Sequence, residues 1–298
     1  MNILRATHLG LCFGVRDAIH RALHHPGPVT ILGELVHNEI VLERLRARGV
    51  GLARRLEEVA TPTVMITAHG ASQAQVAAIA RAGFQVVEAT CPLVRAAHDA
   101  LLRLAAEGYH PVVIGKADHV EVRGLTGDLA AFDVVLEEAD VLALTERERF
   151  GVIAQTTQPS DRVRRLVDLL RRRFPASAVR FVDTVCQPTK QRQSAAIALA
   201  LQCDVVVVVG GARSNNTREL AATCARYCPR VHAVREAGDL DPGWFEPADT
   251  VGLTAGTSTP DDVIDAVEQA LWRIARDRAS VPQAHVAHEE ALHLADAL

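Results

Sequence analysis

The chain has 298 residues, 49% of them apolar and 23% charged, and a formal net charge of −4. Those values fit a globular enzyme with a large core divided into about two domains, or three small ones. They exclude the basic footprint of a general nucleic-acid binder, and the aliphatic run Val205–Val209 is far too short to span a bilayer.

Residues 1–14 read as a short strand and a loop, with neither a long apolar stretch nor a small-residue cleavage site. Six cysteines in a large aliphatic chain therefore predict reduced thiols or metal ligands in a cytoplasmic protein, without nucleic-acid or membrane partners. Further along, short β-branched runs alternate with helical patterns, the signature of an α/β fold with mainly parallel sheets. Helix-compatible stretches span 15–24, 75–82, 93–106, 162–173, 194–201 and 262–276. In the last, Val263, Val267, Leu271 and Ile274 recur at helical spacing. Before it, Thr259-Pro260-Asp261-Asp262 predicts a hydroxyl cap, a proline in the first turn and acids at the positive end of the helix. Residues 122–140 show no clean helical period.

Cys12, Cys91 and Cys186 each follow a strand-like run and open a helix-like one, roughly a third of the chain apart. They form one site only if the chain folds three times around a point. Two further features recur in the same order. Apolar runs ending in polar clusters lie at 29–39, 111–121 and 205–216, and runs ending in small or hydroxylated residues lie at 63–72, 149–160 and 250–260. This pattern predicts three pseudo-repeated α/β lobes at 1–88, 89–183 and 184–280, followed by a tail at 281–298. In parallel α/β sheets the ligand sits at the carboxyl ends of the strands, where all of these clusters fall.

Thiolates are the usual ligands of iron–sulfur clusters. Three cysteines fit a cubane with one iron lacking a protein ligand, open to water or a substrate oxygen. Zinc also suits thiolates, and three buried structural thiols are a further reading. Cys203, Cys224 and Cys228 lack the strand–helix context and read as packing residues, the last two within one helix. His37, His69, His119, Ser214, Asn215, Asn216 and Ser258 follow strand runs and suit a cage for an anion such as phosphate. No P-loop accompanies them. Histidines that cap local backbone in a core are the alternative. Glu121 is the candidate proton donor, its carboxyl raised toward neutrality in a closed pocket, and Thr156 the candidate relay. A solvated loop acid and a pair of helix-capping threonines would look the same in sequence.

Together these residues resemble the 4-hydroxy-3-methylbut-2-enyl diphosphate reductase family. The resemblance runs from residues 10–15 (GLCFGV) through 36–38 (VHN), 68–70 (AHG), 89–94 (ATCPLV) and 155–157 (QTT) to 254–258 (TAGTS). It implies a three-lobed α/β fold around one oxygen-sensitive [4Fe–4S] cluster per chain, held by Cys12, Cys91 and Cys186. It implies an allylic diphosphate substrate, with Thr156 near its hydroxyl, Glu121 supplying a proton and the anion cage holding the diphosphate. The implied reaction is reductive dehydroxylation to isopentenyl and dimethylallyl diphosphate, the last step of the non-mevalonate isoprenoid pathway, with ferredoxin or flavodoxin as electron donor. Val120 stands where proline is common, Asn215 where serine is common and Pro188 where a small residue is usual, and the tail has an unfamiliar ending. A divergent paralogue on a related allylic substrate, a zinc hydrolase or lyase, and a non-catalytic iron–sulfur sensor or phosphate-binding protein are the rival readings. Arg162, Arg164, Arg165 and Arg171 to Arg173 read as a solvated helix face, with an acidic partner as the alternative. His285, His288 and His293 read as incidental.

Overall fold

The computed structural model describes residues 1–280. The tail at 281–298, with His285, His288 and His293, lies outside the described residues. The chain begins with β1 (Asn2–Arg5), α1 (Phe13–Leu23), β2 (Val29–Leu32), α2 (Glu39–Ala47), β3 (Gly51–Ala53), β4 (Thr63–Ile66), α3 (Gln73–Arg81) and β5 (Gln85–Glu88). It continues through α4 (Pro92–Ala106), β6 (His110–Ile114), α5 (Val120–Thr126), β7 (Asp133–Val135), α6 (Glu138–Ala143), β8 (Arg149–Ala154), α7 (Ser160–Arg173) and β9 (Ala178–Phe181). The last part holds α8 (Gln187–Ala200), β10 (Val205–Val209), α9 (Asn215–Cys224), β11 (Arg230–Val234), β12 (Thr250–Ala255) and α10 (Asp261–Ser280).

Three four-stranded parallel sheets result, in the orders β3-β2-β4-β5, β7-β6-β8-β9 and β11-β10-β12-β1. The order is the same each time, so the fold is α/β and threefold repeated. The third sheet differs in one respect from the boundaries read in sequence. Residues 2–5 were expected in a first lobe at 1–88, but β1 runs parallel to β12, Asn2 opposite Thr250 and Arg5 opposite Leu253. The reason lies in the repeat itself. The strand before each cysteine closes a sheet, and the strand before Cys12 can close only the sheet made last. Ile3 is accordingly buried beside Val251 and Leu253.

Each helix that a cysteine opens then crosses to the next sheet. Ala18 and Ala22 of α1 pack with Val29 and Ile31. Ala97, Leu101 and Leu104 of α4 pack with Val113 and Ile153. Ala196 and Ala200 of α8 pack with Val206 and Val208. The unbroken valine run of β10 follows from burial on both faces: Val205, Val207 and Val209 point into one cluster and Val206 and Val208 into another. At about 25 cal/mol per Å² of apolar area, each such side chain contributes about 1.5–3 kcal/mol, an upper estimate because the unfolded chain is itself partly collapsed.

Other local expectations change in the structure. Residues 122–140 hold α5, β7 and the start of α6, each too short to display a period. The Thr259 hydroxyl donates to the Val209 carbonyl at 3.0 Å, tying α10 to β10 rather than capping the helix. Cys228 lies beyond the end of α9, its thiol near the carbonyls of Asp204 and Arg230. On α7, Arg162, Arg165 and Arg171 are engaged with Glu219, Glu138 and Asp168, as on a solvated helix face. Among the described residues no helix is long and apolar enough to cross a membrane.

Candidate functional site

The cysteines are held in one manner three times over. Cys12, Cys91 and Cys186 are the N-caps of α1, α4 and α8, and none of their side chains is used as a cap. Their backbone N–H groups donate to Thr257, Ala68 and Thr156 at 3.0, 3.1 and 3.0 Å. Those acceptors lie just past β12, β4 and β8, so each sulfur hangs from the carboxyl end of a central strand. The positive end of a helix favours a thiolate at each position. Burial opposes it, pushing the Cys186 thiol up to about 11 and the Cys91 thiol above its usual value, with the charges of Cys12 and Glu121 adding to both shifts. A bound metal removes that opposition, because a coordinating thiol is deprotonated outright. Gly14, in the first turn of α1, makes the approach of the loops possible: a Cβ there would collide with Cys91 Sγ. Proline at 188 sits in the first turn of α8, where its missing N–H has no helical partner to lose.

The polar clusters open the next helices. Asn38, His119 and Ser214 are the N-caps of α2, α5 and α9, accepting from Val41, Glu121 and Thr217. His37, His69 and His119 form one group, with His37 stacked on His69 at 4.3 Å between ring centres and His119 edge-on to both. One nitrogen from each lies within 4.8 Å of the others. Burial first, then mutual repulsion among these rings, lowers His69 well below the ordinary histidine range; burial and the His37 charge lower His119 to about 4. His69 Nδ1 is buried without a hydrogen-bond partner. His37 Nδ1 faces Glu34 Oε2 at 3.0 Å, and Arg213 holds the other Glu34 oxygen at 2.5 Å. The Asn216 side-chain oxygen accepts from Thr257 N at 3.0 Å, which leaves its amide N–H₂ as donor, and Asn215 donates to Thr157 Oγ1 at 3.1 Å. Ser258 Oγ lies 3.5 Å from the His37 carbonyl oxygen, joining the first and third lobes.

Glu121 is neither solvated nor in a loop. It lies in the first turn of α5, 1% exposed, and its Oε1 accepts from Thr156 N at 2.7 Å. Burial raises its carboxyl to about 7 against the opposing effect of the Thr156 hydrogen bonds. The twelve residues singled out in sequence all line a single cavity: Cys12, Cys91, Cys186, His37, His69, His119, Glu121, Thr156, Ser214, Asn215, Asn216 and Ser258. Thr157 and Thr257, which fall in the quoted motifs without a site role, line it as well, as does Thr189, which was missed in sequence. Thr189 Oγ1 meets Cys186 Sγ at 3.1 Å, and the three-residue spacing at a helix start was the available signal. The donor set fits a thiolate-held cluster: three thiols without a disulfide, at three helix N-termini, facing one space.

A family profile described as LytB protein matches residues 3–272. The chain belongs to this family. Among LytB relatives, the 4-hydroxy-3-methylbut-2-enyl diphosphate reductase of Geobacter metallireducens is 36% identical over 92% of this chain and 98% of its own length. That of Pseudomonas syringae pv. tomato is 38% identical over 91% and 90%. A solved structure of (E)-4-hydroxy-3-methyl-but-2-enyl diphosphate reductase, described as the terminal enzyme of the non-mevalonate pathway, is 33% identical with a TM-score of 0.66, covering 91% of this chain and 99% of that one. The reductase from Plasmodium falciparum superposes with a TM-score of 0.84 at 26% identity, covering 91% and 87%. The LytB fold is therefore the three-sheet arrangement described above.

Proposed function

We propose that this chain reduces 4-hydroxy-3-methylbut-2-enyl diphosphate to isopentenyl and dimethylallyl diphosphate. The observation that carries this reading is Glu121: a buried carboxyl with a pKa of about 7, hydrogen-bonded to Thr156, in the cavity shared by three cysteines and three histidines. The allylic carbon–oxygen bond breaks with uptake of two electrons and two protons. One proton leaves with the oxygen as water, and the other forms a new carbon–hydrogen bond. Cys12, Cys91 and Cys186 hold one [4Fe–4S] cluster, which when bound supplies electrons singly and an iron without a protein ligand.

The remaining work belongs to the side chains. With its pKa raised to about 7, Glu121 still carries its proton in about half of the molecules at neutral pH and delivers it to the departing hydroxyl, with Thr156 fixing the carboxyl and lying beside that hydroxyl. His37, His69, His119, Ser214, Asn215, Asn216 and Ser258 hold the diphosphate, helped by the N-terminal ends of α2 and α9. The negative charge of the ligand raises the pKa values of His69 and His119 that burial lowers, so binding draws protons onto those two rings. Anchoring the diphosphate fixes the allylic end and removes much of the entropic barrier. The electron donor is a small acidic protein, a ferredoxin or flavodoxin, and the reaction is cytoplasmic.

The three histidine nitrogens also favour a second reading, in which a divalent ion such as zinc binds there and supports hydrolysis. Anaerobic purification with iron, sulfide and zinc analysis separates the two. Iron with matching sulfide supports the reductase, whereas zinc without sulfide favours the hydrolase.

A further inference from the structure

Arg192 sits in the middle of α8 with only 7% of its surface exposed. Its guanidinium donates to backbone carbonyls: Nε and Nη2 to Gly10 at 3.0 and 2.6 Å, Nη2 to Leu9 at 3.4 Å, and Nη1 to Pro188 at 3.0 Å. Gly10 and Leu9 precede Cys12 by two and three residues, and Pro188 follows Cys186 by two. One side chain thus ties the loop before Cys12 to the first turn of α8, the helix that Cys186 caps. No ion pair is formed by Arg192 among the described residues, whereas the half-buried Arg162 meets Glu219.

A buried cation supported only by carbonyl dipoles is not neutralised, and burying it without a countercharge is unfavourable. Burial lowers the Arg192 pKa from its ordinary value; the groups that act to restore it are, in order, the thiols of Cys12 and Cys186 and the carboxyl of Asp261. Asp261 is itself engaged with Arg16. When their sulfurs ligate a metal, Cys12 and Cys186 carry thiolate charge at the loop and the helix start that this guanidinium holds.

We infer that Arg192 is the fixed countercharge of the thiolate-held cluster, a positioning residue that holds the Cys12 loop against the Cys186 end of α8 and sets the reduction potential of the site. The inference rests on the cluster reading above. A positive charge held in a low-dielectric region stabilises the reduced state more than the oxidised one, because reduction adds negative charge nearby.

The test uses the full-length chain, loaded anaerobically, as wild type, Arg192→Lys and Arg192→Met. After iron and sulfide analysis, the midpoint potential is measured by redox titration followed by electron paramagnetic resonance. Arg192→Met is expected to lower the ratio of reduced to oxidised cluster at least tenfold at a fixed potential, about 59 mV for a one-electron couple. Arg192→Lys keeps the charge and is expected to shift the ratio much less, while losing cluster faster to a chelator because the bridging hydrogen bonds are gone. Loss of cluster from the Met variant alone would also support the charge assignment. A wild-type midpoint in Arg192→Met, equal shifts in both variants, or failure of both to hold a cluster would overturn it. Absence of iron and sulfide in the wild type would instead overturn the cluster reading.

Discussion

A carboxyl held at about 7 in a closed site makes two demands on pH, one for chemistry and one for stability. For chemistry, the proton must be present, so turnover should fall as pH rises above about 7. Glu121→Gln keeps the shape and the acceptor for Thr156 N but has no proton to give. It should retain the cluster and bind substrate, with turnover reduced about 10²-fold or more in steady-state assays; a near-normal rate would remove Glu121 as the acid. For stability the sign runs with the raised pKa. Both folded and unfolded carboxyls are neutral well below pH 4, and stability is lost as pH rises toward 7, where the unfolded chain ionises and the folded one does not. Glu121→Gln should therefore be the more stable protein at pH 8, by about 3 kcal/mol at most. Denaturant melts of both proteins at pH 5 and pH 8 measure this, and an equal difference at the two values would contradict it. His37→Ala should weaken binding of the diphosphate substrate without loss of iron, an analogue lacking the diphosphate being little affected; titration calorimetry with both ligands decides. At this scale the sequence showed residues that come to line one cavity, because His, Cys and Glu after strand-like runs are recognisable. It did not show Arg192 or Glu34 as partners. The carbonyl that Arg192 holds is 182 residues away, and the contact exists only after folding.

The elements contribute their ends more than their faces. Three helix starts carry cysteine at the N-cap, a position where serine, threonine, asparagine and aspartate ordinarily satisfy the backbone. Each of these helices forgoes a side-chain cap, a loss of about 1 kcal/mol that is tolerable because its apolar face is buried on the next sheet. Gly14→Ala tests how tightly the ends must converge. The added methyl has Cys91 Sγ in its way, and a helical alanine has no propensity penalty. The variant should fold with normal far-ultraviolet circular dichroism yet lose most of its iron and sulfide. Full retention would show that the cysteine loops have room to spare. Cys91→Ser should likewise abolish stable cluster binding, whereas Cys203→Ser, whose thiol packs beside Leu199 and Gly252, should not. Long helices such as α4 and α7 were legible from their period. α5, which carries Glu121, was not, because seven residues give fewer than two turns and no repeat to read.

The molecule closes as a ring of three sheets, and the closure is made by the strand that comes first and the sheet that comes last. Threefold repetition was visible in the order of the clusters, since each lobe repeats an apolar run, a polar cluster and a cysteine. The joining of β1 to β12 was not, because pairing across 248 positions leaves no local trace (Asn2 against Thr250). Ile3→Ala should cost about 2 kcal/mol or more, as for other buried isoleucines, and should loosen the Cys12 loop together with the sheet edge. Hydrogen exchange at Ala6 and Cys12, whose N–H groups bond to Leu253 and Thr257, reports this directly. Unchanged protection would mean that β1 is not needed to hold the loop. The central claim concerns the reaction that this ring encloses. Its most direct test is a single turnover, in which anaerobically loaded, fully reduced protein is mixed with 4-hydroxy-3-methylbut-2-enyl diphosphate and the products are identified by mass. The account predicts isopentenyl and dimethylallyl diphosphate from the wild type, and unreacted substrate from Glu121→Gln carrying the same iron and sulfide. Intact substrate after mixing with loaded, reduced wild type, or release of phosphate in place of water, would contradict it.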